Sequence, residues 1–330
     1  MSQAKSSPSG ATMLSKVLFW IIAVSCCVPL LKVPEKVLAF VAPGALILGI
    51  GLALSVGNPF PNEAKKVSKV LLQAAVVLLG FSMDLQKVVD AGRSGLVFAL
   101  ISISGVFLLG WAIQKVLNVR PLTSLLVSTG TAICGGSAIA AMSTVTDAPQ
   151  EDVSVAVGTV FLLNAVALVL FPPLGHLMKM TPDQFGTWSG IAIHDVSSVV
   201  GAATAFGGGA VQTATAVKLS RVLYLVPITL VVALLRKRSS GPVTASAAPI
   251  PWFIGLFILA SVLSTYVQPI HTLGPSVKLI ALAGFALSLF LIGTGISKKT
   301  LKAVGVRPLI QGVLLWIFIS VGALVAVMKF

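Results

Sequence analysis

Residues 128–144 read STGTAICGGSAIAAMST. The stretch carries no charge, so it belongs in an apolar setting, yet Gly135–Gly136 sits at its middle, flanked by Thr129, Thr131 and Ser137. Each glycine costs about 1 kcal/mol against alanine inside a helix, so the pair predicts an interrupted helix. At membrane depth such a break is tolerated only where the backbone lines protein or a watery cavity. A helix restarting at Gly136, Ser137 and Ala138 would aim unpaired N–H groups at the break, the arrangement by which helix N-termini hold anions. Close packing of small residues on a neighbouring helix accounts for the same composition equally well.

The surroundings of this stretch are membrane-like throughout. Hydrophobic residues make up 56% of the 330 and charged residues 10%, against about 25% charged in ordinary soluble domains. Too much apolar surface is present for a soluble interior to hide, so lipid must cover part of it. The net charge is +14. The basic residues lie in short clusters between apolar runs, where they act as orientation signals rather than as a nucleic-acid footprint. Cys26, Cys27 and Cys134 all lie in apolar runs, and an odd count without extracellular spacing argues against a disulfide framework. His176, His194 and His271 occupy separate segments, with no metal-ligand spacing and no phosphate-cradling motif. Neither an enzyme nor a bound cofactor is expected.

A bilayer crossing takes about 20 apolar residues. Spans are expected at roughly 14–31, 35–56, 66–83, 94–115, 121–146, 152–178, 184–205, 209–235, 251–271, 275–296 and 305–328, preceded by a disordered cytoplasmic tail over 1–13. Residues 14–330 then form one polytopic domain, with a flexible basic loop over 236–250. With a cytoplasmic N-terminus, fifteen Lys and Arg fall on the inner side, among them Lys65, Lys66, Lys69, Arg236, Lys237, Arg238, Lys298, Lys299 and Lys302, against six outside. The positive-inside rule favours that orientation, with the C-terminus periplasmic.

Residues 79–96 (LGFSMDLQKVVDAGRSGL) and 292–309 (IGTGISKKTLKAVGVRPL) align at an offset of 213, pairing Gly80 with Gly293 and Gly92 with Gly305. Each ends one span and begins the next. The copies end the third and the tenth spans, an odd step of seven, so they cross in opposite senses, as in the inverted repeats of secondary transporters. The same offset applied to 129–145 runs past the C-terminus.

The stretch 189–210 (SGIAIHDVSSVVGAATAFGGGA), which holds most of the seventh span, places His194 and Asp195 near mid-membrane, followed by Ser197 and Ser198. An ionisable residue at that depth is a functional candidate. Asp195 would carry a proton, ligate a cation or orient His194; a purely structural pair is the plainer reading. In the eighth span Lys218 and Arg221 are three apart and share a helix face. Two cations there call for counter-charges or an anionic ligand, unless they snorkel to the interface. Asn164 is a lone strong polar group in the sixth span, suited to a ligand or to a bond across helices.

At TAICGGSAIAA (131–141), GIAIHDVSSVVGAA (190–203) and AVKLSR (216–221), the chain resembles the YeiH-like sulfate exporter family of bacterial inner-membrane proteins, over roughly residues 14–330. Cys134, Gly135, Ser137, His194, Lys218 and Arg221 match the family pattern. Asp195 and Ser197–Ser198 depart from a usual Glu followed by Ala-Gln. Segment 79–96 followed by a glycine-broken span also looks like the bile-acid and arsenite type of symporter. That likeness implies a panel domain and a core with two crossing broken helices.

The expectation is an all-α membrane protein of about eleven transmembrane helices, with inverted-topology repeats and two broken crossing helices. Its function would be secondary transport of a small anion (sulfate or a related oxyanion or sulfonate), as an exporter or with proton or Na⁺ coupling. The expected substrate site is Thr131, Cys134, Gly135, Gly136, Ser137, Asn164, Lys218 and Arg221, with His194, Asp195, Ser197 and Ser198 for coupling. The alternative is a cation or proton antiporter using Asp195. The partners are a small anion and the lipid bilayer, not nucleic acid; a homodimer is left open.

Overall fold

In the computed structural model, residues 13–240, 252–296, 298, 302 and 304–329 are described. The tail expected over 1–13 thus lies outside the described residues apart from Met13. So do residues 241–250 of the expected loop and positions 297, 299–301 and 303 of the second repeat segment.

The described chain is helical, with no strand among the described residues. The helices are α1 Met13–Ser25, α2 Glu35–Ser55, α3 Pro61–Gly80, α4 Leu85–Leu117, α5 Pro121–Ala132, α6 Gly136–Thr146, α7 Gln150–Leu177, α8 Pro182–Ala192, α9 Val196–Phe206, α10 Ala210–Val222, α11 Leu225–Ser240, α12 Trp252–Tyr266, α13 Gln268–Thr294 and α14 Val306–Lys329. Among the described residues, six stretches are long and apolar enough to cross a bilayer: Glu35–Ser55, Phe98–Leu117, Gln150–Leu177, Ala210–Leu234, Thr272–Thr294 and Val306–Lys329. Their outer faces expose Phe40 (77%) and Leu108 (70%) among many other large apolar side chains, a surface suited to lipid rather than water. The protein is a membrane protein.

Six is fewer than the eleven spans expected. Part of the gap is composition, since α3 carries Glu63, Lys65, Lys66 and Lys69 in its first half, and α12 is only 15 residues long. The rest is a difference in shape. α5 and α6, with 12 and 11 residues, would reach about 34 Å if laid end to end at 1.5 Å per residue. Instead, Arg120 just before α5 meets Glu151 and Asp152 at the start of α7, at 3.0 and 3.2 Å. Thr123 donates to the same Asp152. Only residues 147–149 separate α6 from α7, too short a link to cover that length. α6 therefore folds back beside α5. The two arms touch where a Cβ on Gly130 would lie 2.8 Å from Ile139 Cδ1.

α8 and α9 repeat the device. Phe185 near the start of α8 stacks on Phe206 at the end of α9, with ring centroids 4.1 Å apart. Gly186 and Gly190 press α8 onto α10, where added Cβ atoms would lie 2.8 Å from the carbonyl oxygens of Ala210 and Ala214 respectively. The contact advances in the same direction along both helices, so α8 and α10 run parallel and α9 is the return arm between them. The segments expected to cross at 121–146 and 184–205 are thus helical hairpins whose two ends share a side. Hydropathy counted the right number of apolar residues and carried no information on direction.

Around the hairpins stand α4, α7, α10 and α14. Gln311 of α14 donates to Ser124 of α5 at 2.6 Å, and the Trp188 indole of α8 donates to the Ser320 carbonyl of α14 at 3.0 Å. A second group sits to one side: α13 packs against both α2 and α3, α12 packs on α3, and α1 on α2. Its helices approach closely at two glycines. Gly80 of α3 faces Phe257 and Ala260 of α12, and Gly293 of α13 faces Leu46 and Gly49 of α2.

Candidate functional site

The 28 residues of α7 span about 42 Å. The first hairpin has its base at the α7 N-terminus, through Arg120. The second has its base at the α7 C-terminus, where His176 stacks on Phe206 and Gly175 abuts Phe185. The hairpins therefore enter from opposite ends, and their tips meet beside the middle of α7. An ideal Cβ on Gly135 in one tip would lie 3.3 Å from the Asp195 Cβ in the other. Gly135 has φ +64°, a left-handed conformation that costs glycine nothing and other residues strain.

The second tip carries its own anion. Asp195 is the N-cap of α9: one carboxylate oxygen accepts from the Ser197 and Ser198 amides at 2.8 and 3.2 Å and from the Ser197 hydroxyl. The other accepts from the Ser198 hydroxyl and from the Asn164 amide nitrogen at 2.9 Å. Asn164 in turn accepts from the His194 backbone N–H at 2.9 Å. So Asn164, Asp195, Ser197 and Ser198 form one closed network that fixes the tip to α7. The His194 ring is buried and faces the Val160 carbonyl without making a full hydrogen bond.

The first tip lacks such a carboxylate. Its N-cap is Gly135, and no side chain caps α6. The first-turn N–H groups of a helix have no intrahelical partners, so the Gly136 and Ser137 amides are left for another acceptor. Cys134 is buried, with its sulfur toward the Ala138 amide. Thr131, on the last turn of α5, is buried with its hydroxyl unpartnered. Ser137 is exposed.

The two cations of α10 have different neighbours. Arg221 is buried and directs its Nε, at 3.1 Å, and a terminal nitrogen to the carbonyl of Ala132, the last residue of α5. Its other terminal nitrogen donates to Ser102 of α4 at 2.9 Å. A guanidinium at a helix C-terminus also answers the negative end of the dipole. Lys218 shares that helix face and is fully buried, yet its ammonium has no hydrogen-bond partner. The titratable groups within its electrostatic reach include Arg221, Asp195, His194 and the Cys134 thiol. A buried cation without a partner costs several kcal/mol, so this position calls for an acceptor.

The structure thus places the sequence-picked residues on the two hairpin tips, the middle of α7 and one face of α10, with Ser137 exposed and the Thr131 hydroxyl unpartnered. It adds three groups that sequence reasoning passed over: the Ala132 carbonyl, Ser102 and Val160. A further signal was available. At an offset of 60, Gly130, Ala132, Ile133 and Ser137 of the first hairpin match Gly190, Ala192, Ile193 and Ser197 of the second, and Gly135 falls on Asp195. A cavity of about 510 Å³ lies elsewhere, lined by Ser82, Asp84, Gln212, Thr265 and Thr272, and none of the candidate residues lines it. No group of three or more His, Cys, Asp or Glu suited to a metal occurs among the described residues.

These features define a class: an all-helical membrane protein built around two opposed helical hairpins that meet at a buried polar junction. The chain belongs to the family described as conserved hypothetical protein 698, whose pattern it matches over residues 16–312. It is 46% identical over 284 residues to a UPF0324 membrane protein of Bacteroides thetaiotaomicron, covering 86% of this chain and 84% of that one. It is 48% identical over 285 residues to one of Porphyromonas gingivalis, with 86% and 85% covered. A relative from Bdellovibrio bacteriovorus is 41% identical over 324 residues, covering 97% and 96%. The YeiH-like resemblance agrees with that membership. No solved structure matches the chain.

Proposed function

We propose that the chain is a secondary transporter of a small anion, which binds where the two hairpin tips meet. The observation that carries this reading is the buried, unpartnered Lys218 ammonium, with Cys134, the residue before the uncapped N-terminus of α6, within its electrostatic reach. Among the described residues the ammonium has no hydrogen-bond partner and no side chain caps α6, and an oxyanion would answer both.

The architecture supports transport. With the hairpins returning to their own sides, α1, α2, α3, α4, α7, α10–α11, α12, α13 and α14 make nine crossings. Nine is odd, so the termini still lie on opposite sides. Lys179 moves to the outer side, and the excess of Lys and Arg stays with the N-terminus, cytoplasmic in a bacterial inner membrane. Two inverted units account for the helices after α1: α2, α3, α4, the first hairpin and α7 correspond to α12, α13, α14, the second hairpin and α10–α11. The mirrored glycine contacts, Gly80 on α12 and Gly293 on α2, fit this pairing. In the second unit the hairpin and α10–α11 precede α12 in the chain. That circular permutation is why the offset of 213 runs out at the C-terminus.

The two arms are not equally covered. α9 is buried over residues 196–203 and docks on α2 and α13, where Gly201 faces Ala42 and Leu289. α6 exposes Ser137, Ala140 and Thr144 from tip to base. Exchanging these environments between the two units would alternate access to the junction. Asp195 spends its acceptor positions on its cap, so a cation-carrier role would dismantle the tip, and the antiporter reading is not adopted.

The test is flux in proteoliposomes loaded with sulfate, sulfite, methanesulfonate or acetate. Lys218→Met should abolish transport of every anion the wild type carries. Undiminished flux in that variant contradicts the proposal.

A further inference from the structure

The second hairpin serves as a template for what the first one binds. The two tips share sequence at the offset of 60, and α6 and α9 are 11 residues each. At α9 the position next to the first turn is a carboxylate, held by two amides and two hydroxyls. At α6 that carboxylate is replaced by Gly135, while Ser137 stands where Ser197 stands. The first tip thus keeps the Ser137 amide and hydroxyl but has Ala138 in place of Ser198, its amide facing Cys134, and it lacks the carboxylate. Lys218 is the independent sign that an acceptor belongs there. Its ammonium is completely buried, has no hydrogen-bond partner, and lies one helical turn from Arg221, whose guanidinium touches Ala132 two residues before Cys134.

Charge then limits the ligand. With Lys218 and Arg221 both carrying their charge against Asp195, the junction holds one positive charge in excess. The helix ends add little, because each tip joins a C-terminus to an N-terminus and the two partial charges offset one another. One negative charge on a ligand neutralises the junction, and a second would be buried unpaired.

Resting on the transporter reading above, we propose that the α6 N-terminus and Lys218 form a receptor for a single monoanionic acid group, a carboxylate or sulfonate, in the role that Asp195 plays at α9. A dianion such as sulfate is disfavoured at this site. The sequence expectation of a sulfate-like substrate is narrowed accordingly to anions that present one charge.

The test is binding to the purified protein in detergent, by calorimetry at neutral pH, using two pairs matched in head group: methanesulfonate against sulfate, and acetate against malonate. The monoanion of each pair should bind at least tenfold more tightly, and Lys218→Met should remove binding of both. Asp195→Asn retains a good N-cap residue and deletes one negative charge. In that variant the preference should shift tenfold or more toward sulfate and malonate. If the variant fails to fold, the wild-type ratios alone decide. Equal or tighter binding of the dianions, still dependent on Lys218, overturns the monoanion assignment and leaves the transporter reading standing. Absence of binding by all four probes overturns both.

Discussion

At the scale of single residues, the junction divides its charged groups by task. Arg221 is a positioning residue: it closes the C-terminus of α5 through Ala132 and braces α4 through Ser102. Arg221→Ala strands the buried Ala132 carbonyl, which costs about 1–3 kcal/mol. A lower melting temperature in detergent should appear whether or not an anion is present, whereas Lys218→Met should lose only the stabilisation that anions confer. An unchanged melting temperature in Arg221→Ala would contradict this division. Asn164→Leu removes the bond to Asp195 and the acceptor for the His194 amide. A similar loss of about 1–3 kcal/mol is expected, read by thermal unfolding. The charged residues were legible in the sequence because ionisable side chains stand out in apolar runs. Their assignments were not, because the partner of Arg221 is a backbone carbonyl, which every residue has. Ser102 lies in ISISG, where a serine bonded to its own helix would look the same.

At the scale of elements, the glycine pair correctly marked where a helix stops, while the His-Asp pair, read only as functional or structural, turned out to sit at the second break. They did not tell a broken crossing from a hairpin. A hairpin of 12 and 11 residues around a short tip has the length and composition of one span, and the fold-back is fixed by contacts distant in sequence, such as Arg120 with Glu151. Recurring punctuation was the readable hint: Pro121 and Pro182 each open a first arm, and each second arm runs 11 residues. The uneven burial of the second arms makes a prediction at this scale. In protein lacking its native cysteines, Ala140→Cys should react with a water-soluble thiol reagent and Val199→Cys should not. Transport substrate should slow the Ala140→Cys reaction. Equal reactivity at both positions would contradict the asymmetry between α6 and α9.

At the scale of the whole molecule, composition and the clustering of basic residues were enough to place the chain in a membrane. The count of crossings was beyond them. Hydropathy overcounts when hairpins mimic spans, and the permutation proposed above would keep the hairpins from aligning at the offset of 213. The account rests on hairpins that enter from opposite ends of α7, and cysteine labelling in cells with a membrane-impermeant reagent tests this most directly. Native Cys26, Cys27 and Cys134 would be replaced, and single cysteines placed at Val116 before the first hairpin, at Gln150 after it and at Leu177 at the far end of α7, all exposed positions. The account predicts that Val116→Cys and Gln150→Cys label from the same side and Leu177→Cys from the opposite one. Labelling of Val116→Cys and Gln150→Cys from opposite sides would show that residues 121–146 cross the membrane, and would contradict it.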